Sequence, residues 1–293
     1  MSPRITRLVV AASALTVTLS VVAGSSGAIA TTPTKVPSIA KLVPKKIRAK
    51  GTLIVASDAT YAPMEYIAKD GHTVVGVDAD LAKAIAGILG LKFKVENQTF
   101  DAIIPGLRSH KYDIGMSSFT DTKSRQKQVD FVTYFSAGTS FYEKVSGGPP
   151  VTGLSSLCGL TVAVETGTTE ETDAQAQSTA CTNAGHSAVT VQSYGDQNAA
   201  NLAVSSGQAQ VGMADSPVAG YIVRQSHGQF KLVGKSYGTA PYGIALPKHD
   251  GMPNAILAAV KYLMKHHQYQ QILAKWGVQK GAISNPKING AIS

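Results

Sequence analysis

The stretch MSSFTDTKSR, which ends at Arg125, places several hydroxyl groups and an arginine beside a predicted helix start. Thr120 and the two residues after it can each cap that helix, so Arg125 falls in its first turns. A helix N-terminus carries a partial positive charge, and a cation there is unfavourable unless an anion lies close by. A guanidinium binds a carboxylate through two parallel hydrogen bonds. We therefore interpret this stretch as a site for a carboxylate ligand.

The segment GTTEE, from Gly167 to Glu171, is a second helix start whose backbone N–H groups favour an anion. Further along the chain, Asp215 ends the strand-like run QVGMAD and supplies a negative charge. An arginine fork and an aspartate that face each other match the carboxylate and the ammonium of an α-amino acid. The pattern therefore indicates a zwitterionic ligand.

Each of these features also has a purely structural interpretation. Arg125 can pair with Asp121 or Asp130 inside the chain. Thr168 and Glu171 fit a capping box, in which case the second helix start needs no ligand. Only the convergence of several such residues favours a binding site.

The elements that must bring these residues together alternate between strand and helix patterns, beginning with TLIVAS and DADLAKAIAGILG. In the latter, Asp78 or Asp80 is the expected N-cap and Gly90 the expected end. A short helix is expected from Ile103 to Ser109. The order of elements repeats after the Pro/Gly-rich stretch VSGGPPVTG, where DIGMSS finds a counterpart in QVGMAD. This pattern predicts an α/β protein with two similar lobes.

Ligands of open α/β sheets bind outside the carboxyl ends of the strands, so the residues at those ends form a candidate site. If two lobes face each other, these ends meet across one cleft. The ends and the turns after them supply Asp58, Tyr61, Ser117, Ser118, Thr120, Arg125, Glu165, GTTEE and Asp215.

Over about residues 50 to 280, the chain resembles the family-3 extracellular solute-binding proteins, which are the polar amino-acid-binding components of ABC importers. GTLIVASDATYAPMEY resembles the opening strand of that family and its Asp-x-x-Tyr-x-Pro-Phe turn, with Met64 in place of Phe. GVDADLAKAIAGILG is similar to its first helix, and FDAIIPGLRSHKYDIGMSSFTDTKSRQKQVDF to its longest signature. The resemblance implies a type II periplasmic-binding-protein-like fold, with two α/β lobes joined by two hinge strands. The hinges are expected near Ser140 to Lys144 and Thr239 to Ile244, and the lobes close over the ligand.

The resemblance also implies how the main chain of an amino acid would be held. Arg125 would bind the α-carboxylate together with the backbone N–H groups of Thr120 and Thr169. Asp215 would take the α-ammonium together with the carbonyl of Ser118 and the hydroxyl of Thr120.

A second set of residues would enclose the side chain of the ligand. Tyr61 and Phe100 would pack on either side of it, and Asp58, Ser117 and Glu165 lie where the family reads the distal group. Two carboxylates there favour a cationic amino acid such as arginine, lysine or ornithine, because an unpaired buried pair would be costly.

These patterns divide the chain into five segments. They are a signal peptide (1–30), a flexible basic leader (31–50), lobe 1 (51–140 plus 240–280), lobe 2 (141–239) and a C-terminal tail (281–293). The signal has a basic start, an apolar run and the small residues Ala28-Ile29-Ala30 before the expected cleavage; an uncleaved anchor is the alternative. Its removal takes away Arg4 and Arg7 but no acidic residue, which lowers the net charge from +9 to +7.

The basic residues between Lys35 and Lys50 admit two interpretations. They form either a solvated leader or a surface attracted to an anionic membrane or cell wall. No cysteine for lipidation follows the signal, so both a periplasmic and a freely secreted or permease-retained protein fit the sequence.

The two cysteines, Cys158 and Cys181, are expected to form a disulfide because an even pair in an exported protein favours oxidation. Closing that loop stabilises the fold by about 3 kcal/mol on the chain-entropy estimate. Neither cysteine has a second ligand at a metal-binding spacing, so no metal and no cofactor are predicted.

The expected partners are a small-molecule amino acid and a membrane permease, with a monomeric protein and no nucleic acid. The charge outside the basic stretch from Lys35 to Lys50 is scattered, and no basic-aromatic stripe or nucleic-acid motif is found, so nucleic acid is not an expected partner. No nucleophile elbow, triad or zinc spacing is found, so we do not expect an enzyme. The alternatives are a cyclohexadienyl dehydratase-like enzyme that uses Glu165, a sensory module, or a binder of an opine or of a compatible solute such as ectoine.

Overall fold

The computed structural model describes residues 34–292, so the predicted signal peptide lies outside the described residues. Residues 34–292 belong to one compact unit. Its helices are α1 (Pro37–Ala40), α2 (Lys45–Lys50), α3 (Val77–Leu89), α4 (Phe100–Arg108), α5 (Lys123–Gln126), α6 (Thr169–Asn183), α7 (Gln197–Ser206), α8 (Ser216–Gln225), α9 (Pro253–Lys265) and α10 (Gln268–Trp276). Its strands are β1 (Thr52–Ser57), β2 (Thr60–Tyr61), β3 (Glu65–Ile67), β4 (Val74–Val75), β5 (Lys92–Asn97), β6 (Ile114–Gly115), β7 (Val129–Lys144), β8 (Thr161–Glu165), β9 (Thr190–Tyr194), β10 (Val211–Asp215) and β11 (Phe230–Pro247). None of the helices within residues 34–292 is long and apolar enough to cross a membrane.

Eight strands form one mixed sheet in the order β5-β1-β6-β11-β7-β10-β8-β9. Strands β5, β1 and β6 are parallel to one another, and we call them the β1 half; β10, β8 and β9 are also parallel and form the β8 half. The long strands β7 and β11 lie between the halves and pair with each other in antiparallel fashion. The predicted α/β architecture with two similar parts is thus confirmed, since each half repeats the alternation of parallel strands and helices.

The two long strands connect the halves through a region of irregular pairing. β7 pairs regularly with β10 from Thr139 to Glu143, and β11 changes register against β7 at three places between Val233 and Gly243. The segment Ser140 to Lys144, where one hinge was expected, lies on β7, and its residues Ser140 to Glu143 pair with β10 of the β8 half. The other expected hinge, Thr239 to Ile244, contains the change of register between Tyr242 and Gly243. Both hinge positions stay predictions.

The end of helix α3 agrees with the sequence prediction, whereas its start does not. The helix ends at Gly90, which adopts the left-handed conformation that glycine favours. Its N-cap is Gly76 and not Asp78 or Asp80, so that expectation was wrong. Asp78 is buried in the first turn because it accepts hydrogen bonds from other elements, as described below. Similarly, α4 begins at Phe100, three residues before the predicted start.

The N-terminal segment is folded onto the protein. Ala40, Val43 and Ile47 are buried, and the backbone N–H of Val36 donates to the carbonyl of Ile88 at the end of α3. Burial of these apolar side chains holds α1 and α2 in place. The structure therefore corrects the expectation of a flexible leader for residues 36–50.

The C-terminal residues also pack on the body of the protein. The backbone N–H of Thr133 on β7 donates to the carbonyl of Lys287, and Ile288 forms a bridge with Val132. Trp276 holds α10 against α3, because its Nε1 donates to Asp80 at 2.8 Å. The predicted disulfide between Cys158 and Cys181 is present.

Candidate ligand-binding site

A small cavity lies where the carboxyl ends of β1, β8 and β10 meet. All eleven residues that the sequence predicted as ligand-binding line it, and Glu65 and Glu170 line it in addition. The lining residues are Asp58, Tyr61, Glu65, Phe100, Ser117, Ser118, Thr120, Arg125, Glu165, Thr168, Thr169, Glu170 and Asp215.

Arg125 is held in the cavity by two carbonyls from opposite halves. Its Nη1 donates to the carbonyl of Thr120 at 2.9 Å, and its Nη2 donates to that of Gly167 at 2.9 Å. These bonds leave donors of the guanidinium that can face a ligand. Neither Asp121 nor Asp130 pairs with it; Asp121 accepts from Gln126, so the structural interpretation of Arg125 was wrong.

The helix around Arg125 is short, and its cap is Thr122. The hydroxyl of Thr122 accepts a hydrogen bond from the backbone N–H of Arg125 at 3.2 Å. The ring of Phe100 lies 5.2 Å from the guanidinium carbon of Arg125 and stacks on Phe119 at 4.4 Å. This aromatic contact fixes the plane of the guanidinium.

The start of α6 is both a structural cap and a wall of the cavity. The hydroxyl of Thr168 accepts from the backbone N–H of Glu171 at 3.2 Å, as the capping interpretation predicted. The carboxylate of Glu171 accepts a hydrogen bond from the backbone N–H of Gly167 at 2.7 Å. The first N–H groups of a helix have no partner inside it, so the N–H of Thr169 remains suited to an anion.

Asp215 is joined to Tyr61 from the opposite half. The hydroxyl of Tyr61 donates to Oδ2 of Asp215 at 3.2 Å and accepts from the backbone N–H of Asp215 at 3.1 Å. Both side chains are buried, and burial raises the pKa of Asp215 well above its usual value. Tyr61 therefore positions this carboxyl group at the junction of the two halves.

Glu170 is a functional candidate that the sequence analysis missed. It is buried, and it accepts hydrogen bonds from the hydroxyls of Thr139 at 2.8 Å and of Thr169 at 3.1 Å. Its negative charge acts on both Arg125 and Asp215. We call Arg125, Glu170 and Asp215 the clamp, because a cation and two carboxyl groups meet there.

Asp58 and Glu165 form a second group, the acidic pair, in which the two carboxyl groups lie against each other. Asp58 is well supplied with donors, since its carboxylate accepts from the hydroxyl of Thr60 at 2.7 Å and from the backbone N–H of Phe100 at 3.0 Å. Oε1 of Glu165 is buried and has no hydrogen-bond partner among the described residues. Burial raises the pKa of Glu165 to about 10, and the charge of Asp58 raises it in the same direction.

Glu65, the other missed residue, also lines the cavity. Its carboxylate accepts from the hydroxyls of Ser117 at 3.0 Å and of Ser118 at 3.1 Å. Next to it, Asp78 accepts from the backbone N–H of Ser118 at 2.9 Å and from the hydroxyl of Tyr134 at 2.7 Å. Burial raises the pKa of Asp78 to about 6, and burial together with Asp78 raises that of Glu65 well above its usual value.

This carboxyl network explains an unusual backbone conformation. Ser118 has φ of 50°, in the left-handed region that a serine rarely adopts. The hydrogen bond from its N–H to Asp78 and the bond from its hydroxyl to Glu65 hold it there. The strain is concentrated at a residue that lines the cavity, which is typical of functional sites.

The charges of the cavity are unequal. Five carboxyl groups line it, while the only basic side chain in the lining is that of Arg125. Burying unpaired carboxylates is costly, so such a cavity favours a ligand that brings positive charge.

A comparison with protein-family models identifies the family. The model of bacterial extracellular solute-binding proteins, family 3, matches residues 53–279. The chain belongs to this family. The family-3 protein therefore shares a fold whose members bind small solutes, and the cavity described above lies at the strand ends where such a fold binds its ligand.

Individual relatives agree with this assignment. The family-3 protein is 34% identical over 258 residues to the arginine-binding protein ArgT of Corynebacterium glutamicum, covering 88% of this chain and 84% of the relative. An ancestral arginine-binding protein bound to glutamine has a TM-score of 0.72 and 34% identity, over 78% of this chain and 98% of the other. An ancestral amino-acid-binding protein that is a precursor of cyclohexadienyl dehydratase has a TM-score of 0.70 and 32% identity, over 79% and 97%.

These relatives are binding proteins and not enzymes, in agreement with the prediction for the family-3 protein. They also agree with the predicted two-lobed fold, in which each lobe is an α/β unit. The family name describes extracellular proteins, which is consistent with the predicted export.

Proposed function

We propose that this protein is the substrate-binding component of an ABC amino-acid importer and that it captures a cationic amino acid, such as arginine, lysine or ornithine. The observation that carries the proposal is the unequal charge of the cavity, where five carboxyl groups accompany a single guanidinium. A neutral amino acid would add no net charge to this cavity, whereas a cationic one adds one positive charge.

The clamp would bind the groups that all α-amino acids share. The α-carboxylate would face Arg125 and the N–H groups of Thr120 and Thr169, since the guanidinium retains donors beyond those used by the two carbonyls. The α-ammonium would face Asp215, Glu170 and the carbonyl of Ser118. Each charge-assisted hydrogen bond contributes about 1.5–3 kcal/mol, so a few of them suffice for micromolar binding after entropic losses.

The acidic pair would bind the distal cation of the ligand. Glu165 has a buried oxygen without a hydrogen-bond partner in residues 34–292, and Asp58 lies next to it. A guanidinium or ammonium between the two side chains would donate hydrogen bonds to the buried oxygen of Glu165. Its positive charge would also neutralise the carboxylate of Asp58. Tyr61 and Phe100 would pack against the aliphatic part of the ligand.

Transport would follow from closure of the two proposed lobes, residues 51–140 plus 240–280 and residues 141–239, around the ligand. Hydrogen bonds already join the two sets of residues, including Arg125 to Gly167 and Tyr61 to Asp215. The closed protein would dock on a membrane permease, and a separate ATPase would drive import.

Calorimetric titration of the refolded chain from Thr31 with arginine and with citrulline tests this proposal. The two ligands have similar shapes, but the distal group of citrulline is neutral. We expect arginine to bind about tenfold or more tightly than citrulline, because only arginine neutralises the acidic pair.

Titration with further ligands distinguishes the alternative functions. Lysine, ornithine and the neutral amino acids define the ligand class, while an opine and ectoine test the unusual ligands. Binding of neutral amino acids alone would contradict the cationic assignment and retain the amino-acid-binding function. Binding of none of these compounds would contradict both.

A further inference from the structure

The positive charge of this protein is concentrated in one segment. Between Thr31 and Ser57 there are six basic residues and no acidic residue. The chain from Thr31 has a net charge of +7, so these six residues account for all but one unit of it. We call them the basic face; they are Lys35, Lys41, Lys45, Lys46, Arg48 and Lys50.

The fold presents these charges to solvent together. Helices α1 and α2 are anchored through the buried side chains of Ala40, Val43 and Ile47, so the basic side chains between them point outward. Lys35, Lys41 and Arg48 line a groove beside Leu89 to Leu91. Lys46 and Lys50 line a second groove, which they share with His110 and Lys111.

Few carboxylates offset the basic face. Asp113 pairs with Lys50 at 2.6 Å, and Asp250 lines the second groove, where it accepts from the backbone N–H of Met252. Within residues 34–292, the only ion pair that involves the basic face is that of Lys50. The remaining cations are therefore available to an external anion.

The basic face lies away from the ligand cavity. α2 leads into the first residue of β1, whereas the cavity lies beyond its last residue, Ser57. Six residues of strand span about 20 Å, which exceeds the Debye length at physiological salt. The basic face therefore has little electrostatic effect on a ligand in the cavity, and the function proposed above does not account for its charge.

We propose that the basic face is a peripheral membrane-binding surface that holds the protein on a bilayer containing anionic phospholipid. Leu42 lies beside Lys41 at the turn between α1 and α2, and 46% of its surface is exposed. An exposed leucine amid lysines with long apolar stems suits a lipid interface, where the stems lie along the apolar boundary and the charges reach the headgroups. Residues 34–50 contain no aromatic side chain on which a base could stack, which disfavours nucleic acid.

Co-sedimentation with vesicles tests this inference. The chain from Thr31 is mixed with vesicles of phosphatidylglycerol and phosphatidylcholine, or of phosphatidylcholine alone, at low and at high salt. We expect binding to the anionic vesicles only, and we expect high salt to weaken it because the attraction is electrostatic.

Two matched variants locate the surface. One replaces Lys41, Lys45, Lys46 and Arg48 with Gln, and the control replaces the exposed Lys69, Lys144, Lys235 and Lys280 with Gln. Both remove four charges from the chain. We expect the first to weaken vesicle binding by more than about tenfold and the control by less than about threefold. Amino-acid binding by both variants verifies that they fold.

A third variant, in which Lys41, Lys45 and Lys46 become Arg, keeps the charge and is expected to bind vesicles as the parent does. Equal loss in the two Gln variants would overturn the inference, because net charge and not the basic face would then explain binding. Binding to a soluble polyglycerophosphate but not to vesicles would also overturn it, since the partner would then be a wall polymer.

Discussion

The clamp and the acidic pair are two parts of one cavity with opposite charge balance. In the clamp, the guanidinium of Arg125 lines the cavity together with the carboxyl groups of Glu170 and Asp215, so a cation accompanies two acidic groups. In the acidic pair, Asp58 and Glu165 have no cation beside them in the lining of the cavity. We therefore propose separate roles for the two parts. The clamp would bind the α-carboxylate and the α-ammonium, which all amino acids share, and the acidic pair would select among amino acids by the charge of their side chains.

Removal of the clamp cation should have the largest effect. In Arg125→Ala, the α-carboxylate of any amino acid would lose its fork and be buried without a counter-charge. We expect every ligand to bind about 1,000-fold more weakly, equivalent to about 4 kcal/mol, in a calorimetric titration.

Arg125→Lys is the matched variant, because it keeps the charge and loses the two-pronged geometry. It should recover only part of the affinity, since an ammonium cannot reproduce the two parallel hydrogen bonds. Unchanged affinity in either variant would show that the carboxylate is bound elsewhere.

Neutralising the acidic pair should change selectivity more than overall binding. We expect Glu165→Gln to weaken arginine binding by about 10- to 100-fold, because a charge-assisted hydrogen bond contributes about 1.5–3 kcal/mol. Citrulline, whose distal group is neutral, should lose much less affinity. The ratio of the two dissociation constants is the measurement, and equal losses for both ligands would remove the distinction between the two parts of the cavity.

The pH dependence of binding sharpens the same comparison. Because burial raises the pKa of Glu165 to about 10, this group is protonated in the ligand-free protein at neutral pH. A cationic ligand favours the ionised form, so arginine binding must release that proton. Burial also raises the pKa of Asp215, which would meet the α-ammonium of both ligands, so both affinities should rise with pH. We expect the rise between about pH 6 and pH 8 to be steeper for arginine than for citrulline, with Glu165 adding at most about tenfold per pH unit.

The stability of the ligand-free protein should change in the opposite direction. Between pH 4.5, the usual pKa, and pH 10, folded Glu165 binds more protons than the unfolded chain does. The free energy of unfolding therefore falls as pH rises across this window, by at most about 1.4 kcal/mol per pH unit from this group. Glu165→Gln should flatten both pH profiles, and profiles that it leaves unchanged would assign the proton to another group.

Most of the cavity could be read from the sequence because the strand ends are a local signal. Runs such as TVAVET show where a strand stops, and parallel strands bring their carboxyl ends to one edge. All eleven predicted residues were found by that rule or by the family motifs, and all line the cavity. Their roles toward a ligand remain predictions for the experiments above.

The two missed carboxyl groups depend on tertiary structure. Glu65 begins a three-residue strand in a small separate sheet, where no periodic pattern is long enough to assign a buried face. Glu170 stood next to a capping pattern that already explained its neighbours. One signal was present, because Glu170 shares a helical face with Ala174 and Cys181, which are both buried. A charged residue on such a face indicates a partner or a ligand.

The start of α3 and the N-terminal segment were misjudged for a related reason. Asp78 has the composition of a cap, yet Ser118 and Tyr134 bind its carboxylate and draw it into the interior. The lysines of residues 31–50 indicated a solvated segment, but three apolar side chains between them suffice to anchor two short helices. The composition of a short segment thus predicts which charges are exposed, but it does not show whether a few apolar side chains attach the segment to the core.

The smallest predicted effect concerns Thr60, which connects the acidic pair to the β8 half. Its hydroxyl donates to Asp58 at 2.7 Å and accepts from the backbone N–H of Gln197 at 3.2 Å. Thr60→Val keeps the shape and removes both bonds, and each typically contributes about 1 kcal/mol. The bond to Gln197 assists closure with any ligand, whereas the bond to Asp58 favours its ionised form, which only a cationic ligand requires. We therefore expect about a fivefold loss of affinity for citrulline and a somewhat larger loss for arginine. A larger loss for citrulline would mean that Asp58 serves closure and not selectivity, and the division between the clamp and the acidic pair would then rest on Glu165 alone.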